Sequence, residues 1–334
     1  HPITAVTSES GTVEAHSDRT LLATMPRQIA PNTAFLTTTN EDAMNIAYLL
    51  EQQGIHATFV QSTSGFSFIN LAEVRYFVKQ LRRLSSSDTN EACKAIDSDI
   101  WKQAKELTCK AYTSSCLLPT IKRFWQDFEQ VNKTLYFSDL HQYLLESGID
   151  DFIDIGKTAF VSTIHKAKGR EFDTVYLLLD KMHGDMNADW LRTIYVGLTR
   201  AKRHLHIIGG QTLMGNIIPY PSPSATAALT DNQLFIALGM RDVFLDYFRD
   251  RKDIVLRLRS GDALRYSNGY LINQNNEYVA QLSMAKLKEI KQWEEKGYRV
   301  TDATVSYVLA WRPRDEKHEV AICLANMHLV KVIK

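Results

Sequence analysis

Two short segments concentrate the residue types that bind phosphate groups. The first reads STIHKAKGREF over residues 162–172 and sets a threonine, a histidine and three cations around one glycine. The second reads YVGLTRAKRH over residues 195–204. Hydroxyl, imidazole, backbone N–H and ammonium groups commonly contact phosphate oxygens. The guanidinium of Arg200 could also stabilise charge that develops on a transferring phosphoryl group.

The first segment is predicted to leave the carboxyl end of a strand, where open α/β sheets bind ligands. Thr163 and His165 would stand at that end, and Gly169 would permit a positive φ. The carboxylate of Glu171 suits a ribose hydroxyl. Simpler interpretations also exist, because a lysine-rich turn is usually a solvated loop and Arg200 could merely complement a helix C-terminus.

The elements before these segments form a strand-helix-strand unit. Residues 33–36 predict a strand, Asn40 a helix N-cap, Gly54 the helix end and residues 57–60 a second strand. This unit is typical of a parallel sheet covered by helices. A further helix is predicted at 71–84, and further strands at 158–162, 174–179 and 204–208.

Between these parts the pattern is helical, and the chain after them has a different character. Helices are predicted at 92–111, 121–131 and 139–146. A stretch rich in Gly, Pro and Ser then predicts a linker. The expected organisation is the first part of an α/β domain (1–84), a helical insertion (85–150), the second part of that domain (151–212), a linker (213–232) and a C-terminal block (233–334).

The C-terminal block predicts a helix over 234–249 followed by a small β-rich, barrel-like domain. Strands are expected at 254–258, 270–273, 278–282, 300–311 and 319–324, with one helix at 284–295. Cations alternate here with aromatic residues, as they do in single-strand binders: Arg257, Arg259, Arg265, Tyr266 and Tyr270. The alternative is that the aromatic residues are core and the arginines are solvated.

Composition sets the class of protein. The 334 residues are 45% apolar and 23% charged, which is typical of a soluble globular chain, and the net charge of +1 leaves anion binding to local patches. No apolar run is long enough for a membrane span. Four cysteines without a CxxC pair predict reduced thiols in a cytoplasmic protein, with no metal site. Because no leader follows His1, we expect the chain to begin inside a longer protein.

One triplet imitates a nucleotide-binding loop. Gly156-Lys157-Thr158 resembles the tail of GxxxxGK[ST], but Asp151 stands where that motif needs glycine, and the next residues predict a strand rather than a helix. The motif occurs nowhere else in the sequence, and no Asp-Glu pair after an apolar strand offers a magnesium site. The chain alone is therefore not expected to hold Mg²⁺-ATP.

As strings in this order, the two segments resemble motifs V and VI of UvrD/Rep-type superfamily 1 helicases. The motif V pattern, T-x-H-x-x-K-G-L-E-F, is matched by Thr163, His165, Lys168, Gly169, Glu171 and Phe172. The motif VI pattern, Y-V-A-x-T-R-A, corresponds here to Tyr195, Val196, Gly197 in place of the alanine, Thr199, Arg200 and Ala201. The preceding strand-helix-strand resembles the family's second motor domain, called 2A, which is RecA-like and carries a helical insertion called 2B.

The resemblance implies roles for single residues. Arg200 resembles the arginine finger that contacts the ATP γ-phosphate. Glu171 resembles the ligand of the ATP ribose, and Gly169 is the third residue expected at the nucleotide. Contacts to the backbone of single-stranded DNA are implied for Thr39, Asn40, Thr163, His165 and Lys166. Two positions depart from the family pattern. Thr38 stands where the family usually has arginine, and Arg170 where it has leucine.

The implied function is the C-terminal motor half of an ATP-dependent DNA helicase that moves 3′ to 5′. ATP and Mg²⁺ would be cofactors of the full-length protein, whose N-terminal motor domain would supply the phosphate loop and metal ligands. This chain alone would then hydrolyse no ATP. The C-terminal block resembles HIRAN-type β domains, which implies contact with DNA, and a protein partner is the other option. The alternative function is a non-enzymatic binding module on a degenerate helicase scaffold.

Overall fold

The computed structural model describes ten stretches of the chain, namely residues 11–17, 19–23, 25–26, 28–60, 66–85, 95–153, 158–179, 188–209, 232–312 and 318–332. Nearly all of the predicted linker, the first ten residues, and Gly156 and Lys157 lie outside these residues. So does much of the predicted start of the insertion. The chain groups into two units, one within residues 1–62 and 154–235 and one within 63–153 and 236–334. Among the described residues, no helix is long and apolar enough to cross a membrane.

A six-stranded sheet forms the first unit, and every neighbouring pair of its strands is parallel. Its strands are β1 (Thr12–His16), β2 (Thr33–Thr37), β3 (Ala57–Val60), β4 (Ala159–Thr163), β5 (Phe172–Leu178) and β6 (Ala201–Ile208). Their order is β1-β6-β5-β2-β4-β3. The predicted parallel sheet is confirmed, but β1 was not predicted.

Helices cover both faces of this sheet. Helix α1 (Thr20–Ala23) and helix α2 (Asn40–Gln52) pack on the face that carries Phe35, and their apolar residues share one core with the strands. Helix α7 (Ala188–Leu198) lies against Leu177 on the opposite face. Because β4, β2 and β5 are buried on both faces, their sequences read as apolar runs, as parallel strands do.

The N-cap of α2 differs from the prediction by one residue. Thr39, not Asn40, is the cap, and its Oγ1 accepts a hydrogen bond from the backbone N–H of Asp42 at 3.1 Å. Asn40 is the first helical residue. Both residue types cap helices well, so the sequence could not choose between them. The register was decided by Thr37, whose hydroxyl donates to the Thr39 carbonyl at 2.8 Å and fixes the turn.

Four of the described α-helices of the second unit lie within residues 66–153, and they pack around aromatic side chains. They are α3 (Ala72–Leu84), α4 (Ser98–Ala111), α5 (Leu118–Val131) and α6 (Phe137–Glu146). Phe77 meets Trp101, Phe124 and Trp125 at ring-centroid distances of 5.0, 6.2 and 5.1 Å. The predicted helices are confirmed, although the first of the insertion begins only at Ser98, where Asp97 caps it.

The second unit also contains a mostly antiparallel six-stranded sheet of order β10-β9-β8-β11-β12-β7. Its strands are β7 (Gln233–Ala237), β8 (Ala263–Ser267), β9 (Tyr270–Ile272), β10 (Tyr278–Gln281), β11 (Tyr298–Trp311) and β12 (Val320–Lys331). Two register shifts interrupt the long β11–β12 pair. Asn268 and Gly269, both with positive φ, turn β8 into β9, as a two-residue hairpin loop requires.

Two predicted elements of the C-terminal block were wrong. Residues 234–249 form strand β7 and a 3₁₀ helix, Leu245–Phe248, instead of one helix. Residues 254–258 form no strand, because the chain makes the short helix α8 (Lys252–Val255) there. Short apolar runs do not distinguish helix from buried strand, and the pairing of β7 with β12 decided the first case. Helix α9 (Met284–Glu295) has the predicted bounds, with Ser283 as its cap.

Candidate functional site

Two neighbouring strands end side by side and bring the first group of predicted residues together. Thr37, the last residue of β2, stands opposite Thr163, the last of β4. The N–H of Ile164 donates to the Thr37 carbonyl at 2.8 Å. The segments 38–40 and 164–166 therefore leave the same carboxyl edge of the sheet. Thr39, Asn40, Thr163, His165 and Lys166 all lie there.

The loop after β4 begins as a tight helical turn. The carbonyl of Thr163 accepts hydrogen bonds from the N–H groups of Lys166 and Ala167, at 3.0 and 3.3 Å. This turn exposes His165, half-buries Lys166 and leaves Thr163 only 9% exposed. The imidazole and the ammonium group are thus the accessible groups of the loop, whereas Thr163 mainly shapes it.

The loop after β2 is less basic than the resemblance implies. Thr39 and Asn40 are exposed, but the first turn of α2 also carries Glu41 and Asp42. Asp42 is buried and takes a bidentate ion pair from Arg19, at 2.7 and 2.6 Å. Carboxylates in a first helical turn offset its positive end. Any phosphate contact here would therefore rest on the polar side chains of Thr39 and Asn40.

The second group of predicted residues lies at the opposite edge. Phe172 and Ala201 begin β5 and β6 and pair with each other, while Thr174 stands opposite Thr33 at the start of β2. Glu171 and Arg200 immediately precede these starts. The sheet between the two edges spans four residue steps along β2, roughly 13 Å at 3.3 Å per step. The structure therefore separates Glu171 and Arg200 from the group around His165.

Arg200 joins the two motif-like segments. Its Nε donates to the carbonyl of Val196 at 2.9 Å, and one terminal nitrogen donates to the carbonyl of Arg170 at 2.9 Å. The other terminal nitrogen is 3.2 Å from the Thr199 hydroxyl, and the Arg200 carbonyl accepts from the N–H of Phe172 at 2.8 Å. The guanidinium thus caps the C-terminal end of α7 and fixes the loop before β5.

The residues around Arg200 include exposed charged side chains and an uncrowded glycine. Glu171 is exposed and lies 3.4 Å from Nζ of Lys202. Gly169 has φ of +86°, and a Cβ placed there would meet no atom within 4 Å, so its conformation rather than crowding calls for glycine. The amino edge thus presents a guanidinium, a carboxylate and an ammonium group around a backbone turn.

Close packing sets the position of α7. A Cβ on Gly197 would lie 2.7 Å from Cδ1 of Leu177 and 3.6 Å from Cδ1 of Ile164. Leu177 and Ile164 are fully buried. The missing side chain lets the helix approach β5, which in turn places Arg200 within reach of the Arg170 carbonyl.

Some relevant residues were not identified from the sequence. Lys202 was not singled out, although it stands two residues after Arg200 in a cationic run. Strand β1 was missed too, although Val13 and Ala15 alternate with polar residues, which is the period of a half-buried strand. The carbonyl of Arg170 as a partner for Arg200 had no signal in the sequence.

The arginines and tyrosines that alternate in the C-terminal block have different surroundings in the structure. Arg259 points inward: its guanidinium lies 4.3 Å from the ring centroid of Tyr112 and donates to the Ala111 carbonyl at 2.9 Å. Arg257 and Arg265 are exposed, and Arg257 pairs with Glu277 at 2.7 Å. The aromatic residues Tyr266 and Tyr270 are partly buried.

Comparison with known families bears on the same two segments. A family model of the UvrD-like helicase C-terminal domain matches residues 158–208. The matched span runs from the start of β4 to the end of β6 and includes both motif-like segments. It supports a UvrD-type C-terminal region in the chain and a helicase-related function. No curated protein matches the chain.

Proposed function

We propose that the chain is the C-terminal motor half of an ATP-dependent DNA helicase or translocase of superfamily 1, with a RecA-like domain 2A. The observation that carries the proposal is that Arg200 physically joins the two segments within the UvrD-like match. A guanidinium that caps one segment and holds the other would couple their positions. The 3′-to-5′ polarity rests on the resemblance alone.

The amino edge is proposed to complete an ATP site whose other half belongs to an N-terminal motor domain. Arg200, Glu171 and Gly169 suit this role, because a guanidinium and a carboxylate beside a turn match phosphate and ribose groups. When bound, ATP would supply the free energy of hydrolysis. Arg200 would exchange its bond to the Arg170 carbonyl for the γ-phosphate and so couple that site to the loop before β5. Because the sequence holds no Asp-Glu pair at the end of an apolar strand, the Mg²⁺ ligands are assigned to the other domain.

The carboxyl edge is proposed to hold the backbone of single-stranded DNA. His165 and Lys166 would contact phosphates, with Thr39 and Asn40 on the neighbouring loop and Thr163 shaping the turn. The separation of the two edges supports this division, because DNA and nucleotide could then be bound together. Closure of the nucleotide cleft would move one edge relative to the partner domain, as alternating closure does in motors.

DNA binding is tested by fluorescence anisotropy of a labelled single-stranded oligothymidine. His165→Ala with Lys166→Ala should weaken binding at least about tenfold at low salt and reduce its salt dependence. Lys168→Ala is the matched control, because Lys168 is exposed in the same loop but has no proposed contact. Arg200→Ala should bind DNA as the unchanged chain does. Equal weakening by the control, or none by the double variant, would contradict the proposal.

A non-enzymatic binding module remains the second candidate, and one observation favours it. All three nitrogens of the Arg200 guanidinium are engaged within the chain, as expected for a structural residue. The two candidates predict different results for Arg200→Ala in a protein that joins this chain to a phosphate-loop domain. If the protein is a helicase, the substitution should abolish ATP turnover. If the chain is a binding module, the substitution should alter only its stability. DNA-stimulated ATP hydrolysis by this chain alone would refute the half-motor proposal.

A further inference from the structure

Strand β1 places a second set of chemically active side chains beside β6. The two strands run parallel, and Glu14 stands opposite His206 in the register. His16 lies two residues after Glu14, so it projects from the same face of the sheet. Neither the helicase resemblance nor the family match involves Glu14 or His16. The carboxylate and the two imidazoles converge although 190 residues separate the histidines.

The distances among the three groups have the dimensions of a metal site. His206 Nδ1 lies 3.3 Å from His16 Nε2 and 3.3 Å from a Glu14 carboxylate oxygen, and that oxygen lies 3.8 Å from His16 Nε2. The point equidistant from these three atoms is about 2.0 Å from each, the length of a zinc–nitrogen or zinc–oxygen bond. An ion about 2.1 Å from each would stand roughly 0.6 Å out of their plane and keep an open side for water.

Neighbouring side chains hold the ring of His206 in place. Tyr176 stacks on His206 with centroids 4.4 Å apart and planes 7° apart, and Phe35 stacks on Tyr176 at 4.7 Å. A ligand whose ring is fixed by packing loses little freedom when it binds an ion. His204 lies on the same face, but its Nδ1 bonds the hydroxyl of Thr12 at 2.9 Å, two residue pairs before the Glu14–His206 pair.

We propose that Glu14, His16 and His206 form a binding site for one first-row divalent metal ion of the Zn²⁺ type. Two imidazoles and one carboxylate are ligands that zinc uses in proteins, and imidazole favours zinc over magnesium or calcium. The ion would connect β1, an edge strand, to β6. Its binding would therefore stabilise the pairing of a strand that otherwise depends on one neighbour.

The test uses the untagged chain, stripped with EDTA and titrated with Zn²⁺ in a calorimeter. We expect one ion for each chain at this site, and a ligand spectrum of nitrogen and oxygen donors when Co²⁺ replaces Zn²⁺. His16→Ala and His206→Ala should each weaken binding roughly tenfold or more. His204→Ala is the matched control and should bind as the unchanged chain does. Zinc should also raise the melting temperature of the unchanged chain and of the control, but not that of His16→Ala.

Two results would overturn the proposal. One is the absence of zinc binding by the folded chain. The other is equal affinity in the unchanged chain and both histidine variants, which would place the ion elsewhere, for example at the thiols of Cys109 or Cys116. His16→Gln is the second variant at the edge strand, since it keeps a polar side chain of similar length. If it folds as the unchanged chain does and still loses zinc, lost ligation rather than lost folding is the cause.

Discussion

Arg259 is expected to contribute much more to stability than Arg257, although both are arginines in the same short segment. The guanidinium of Arg259 donates to the carbonyl of Ala111 at 2.9 Å and stacks over Tyr112 at 4.3 Å. It also donates to the carbonyls of its own segment. Tyr112 is only 5% exposed, so this contact is shielded from water. Arg259 therefore connects the end of α4 to the C-terminal block within the second unit.

The magnitude follows from these contacts. A hydrogen bond from a charged donor contributes about 1.5–3 kcal/mol, and a cation–π contact at least about 0.5–1 kcal/mol. Arg259→Ala should therefore lower the free energy of unfolding by about 2–4 kcal/mol. Arg257 pairs with Glu277 at 2.7 Å, but it is 64% exposed. A surface pair of this kind contributes about 0–1 kcal/mol, so Arg257→Ala should have little effect.

The assay is urea unfolding followed by tryptophan fluorescence, which suits this unit because Trp101 and Trp125 lie in its core. Arg259→Lys should fall between the unchanged chain and Arg259→Ala, because lysine keeps the charge but not the planar fork. If Arg257→Ala costs as much as Arg259→Ala, the inward contacts of Arg259 are not stabilising.

Two further substitutions test other packing arguments. Gly197→Val should lower the free energy of unfolding by about 1–3 kcal/mol, because the valine side chain would overlap Leu177. In a Leu177→Ala background the loss should be smaller. Losses that simply add in the double variant would refute the overlap. Burial raises the pKa of Glu73, although the hydroxyl of Ser115 donates to it at 2.6 Å. A raised pKa in the folded state means that the stabilising contribution is present at low pH and is lost as pH rises above about 4. Urea unfolding at several pH values should show that the free energy of unfolding falls between about pH 4 and the raised pKa of Glu73. In Glu73→Gln this fall should be smaller. Parallel pH profiles for the two proteins would contradict this.

The local elements of the first unit were predictable because their signals are local. Each apolar run of β2, β4 and β5 occupies a few consecutive positions, and the turn residues that bound it follow directly in the chain. With the helix that follows the first strand, they predict a strand-helix-strand unit and hence a parallel sheet. The C-terminal block was harder, because its apolar runs are short. Leu234 and its neighbours could start a helix or fill a strand, and only pairing with β12 decided the matter.

The candidate site shows the same division between local and long-range information. The sequence placed Thr163 and His165 after one strand and Arg200 before another. In a parallel sheet those positions lie at opposite edges, but the sequence alone did not determine which residues stand opposite each other. The register does so, through pairs such as Thr37 with Thr163 and Phe172 with Ala201. Likewise, Arg259 could not be distinguished from Arg257, because the difference depends on Tyr112 in a distant helix.

The sequence by itself determined the order of the elements, the two phosphate-type segments and their resemblance to helicase motifs. These depend on residue types at short spacing. The tertiary structure alone decided the register of the strands, the use of the Arg170 carbonyl by Arg200, and the convergence of Glu14 and His16 on His206. Each of these depends on backbone hydrogen bonds between strands far apart in the chain, and one residue of register would turn the side chains to the other face.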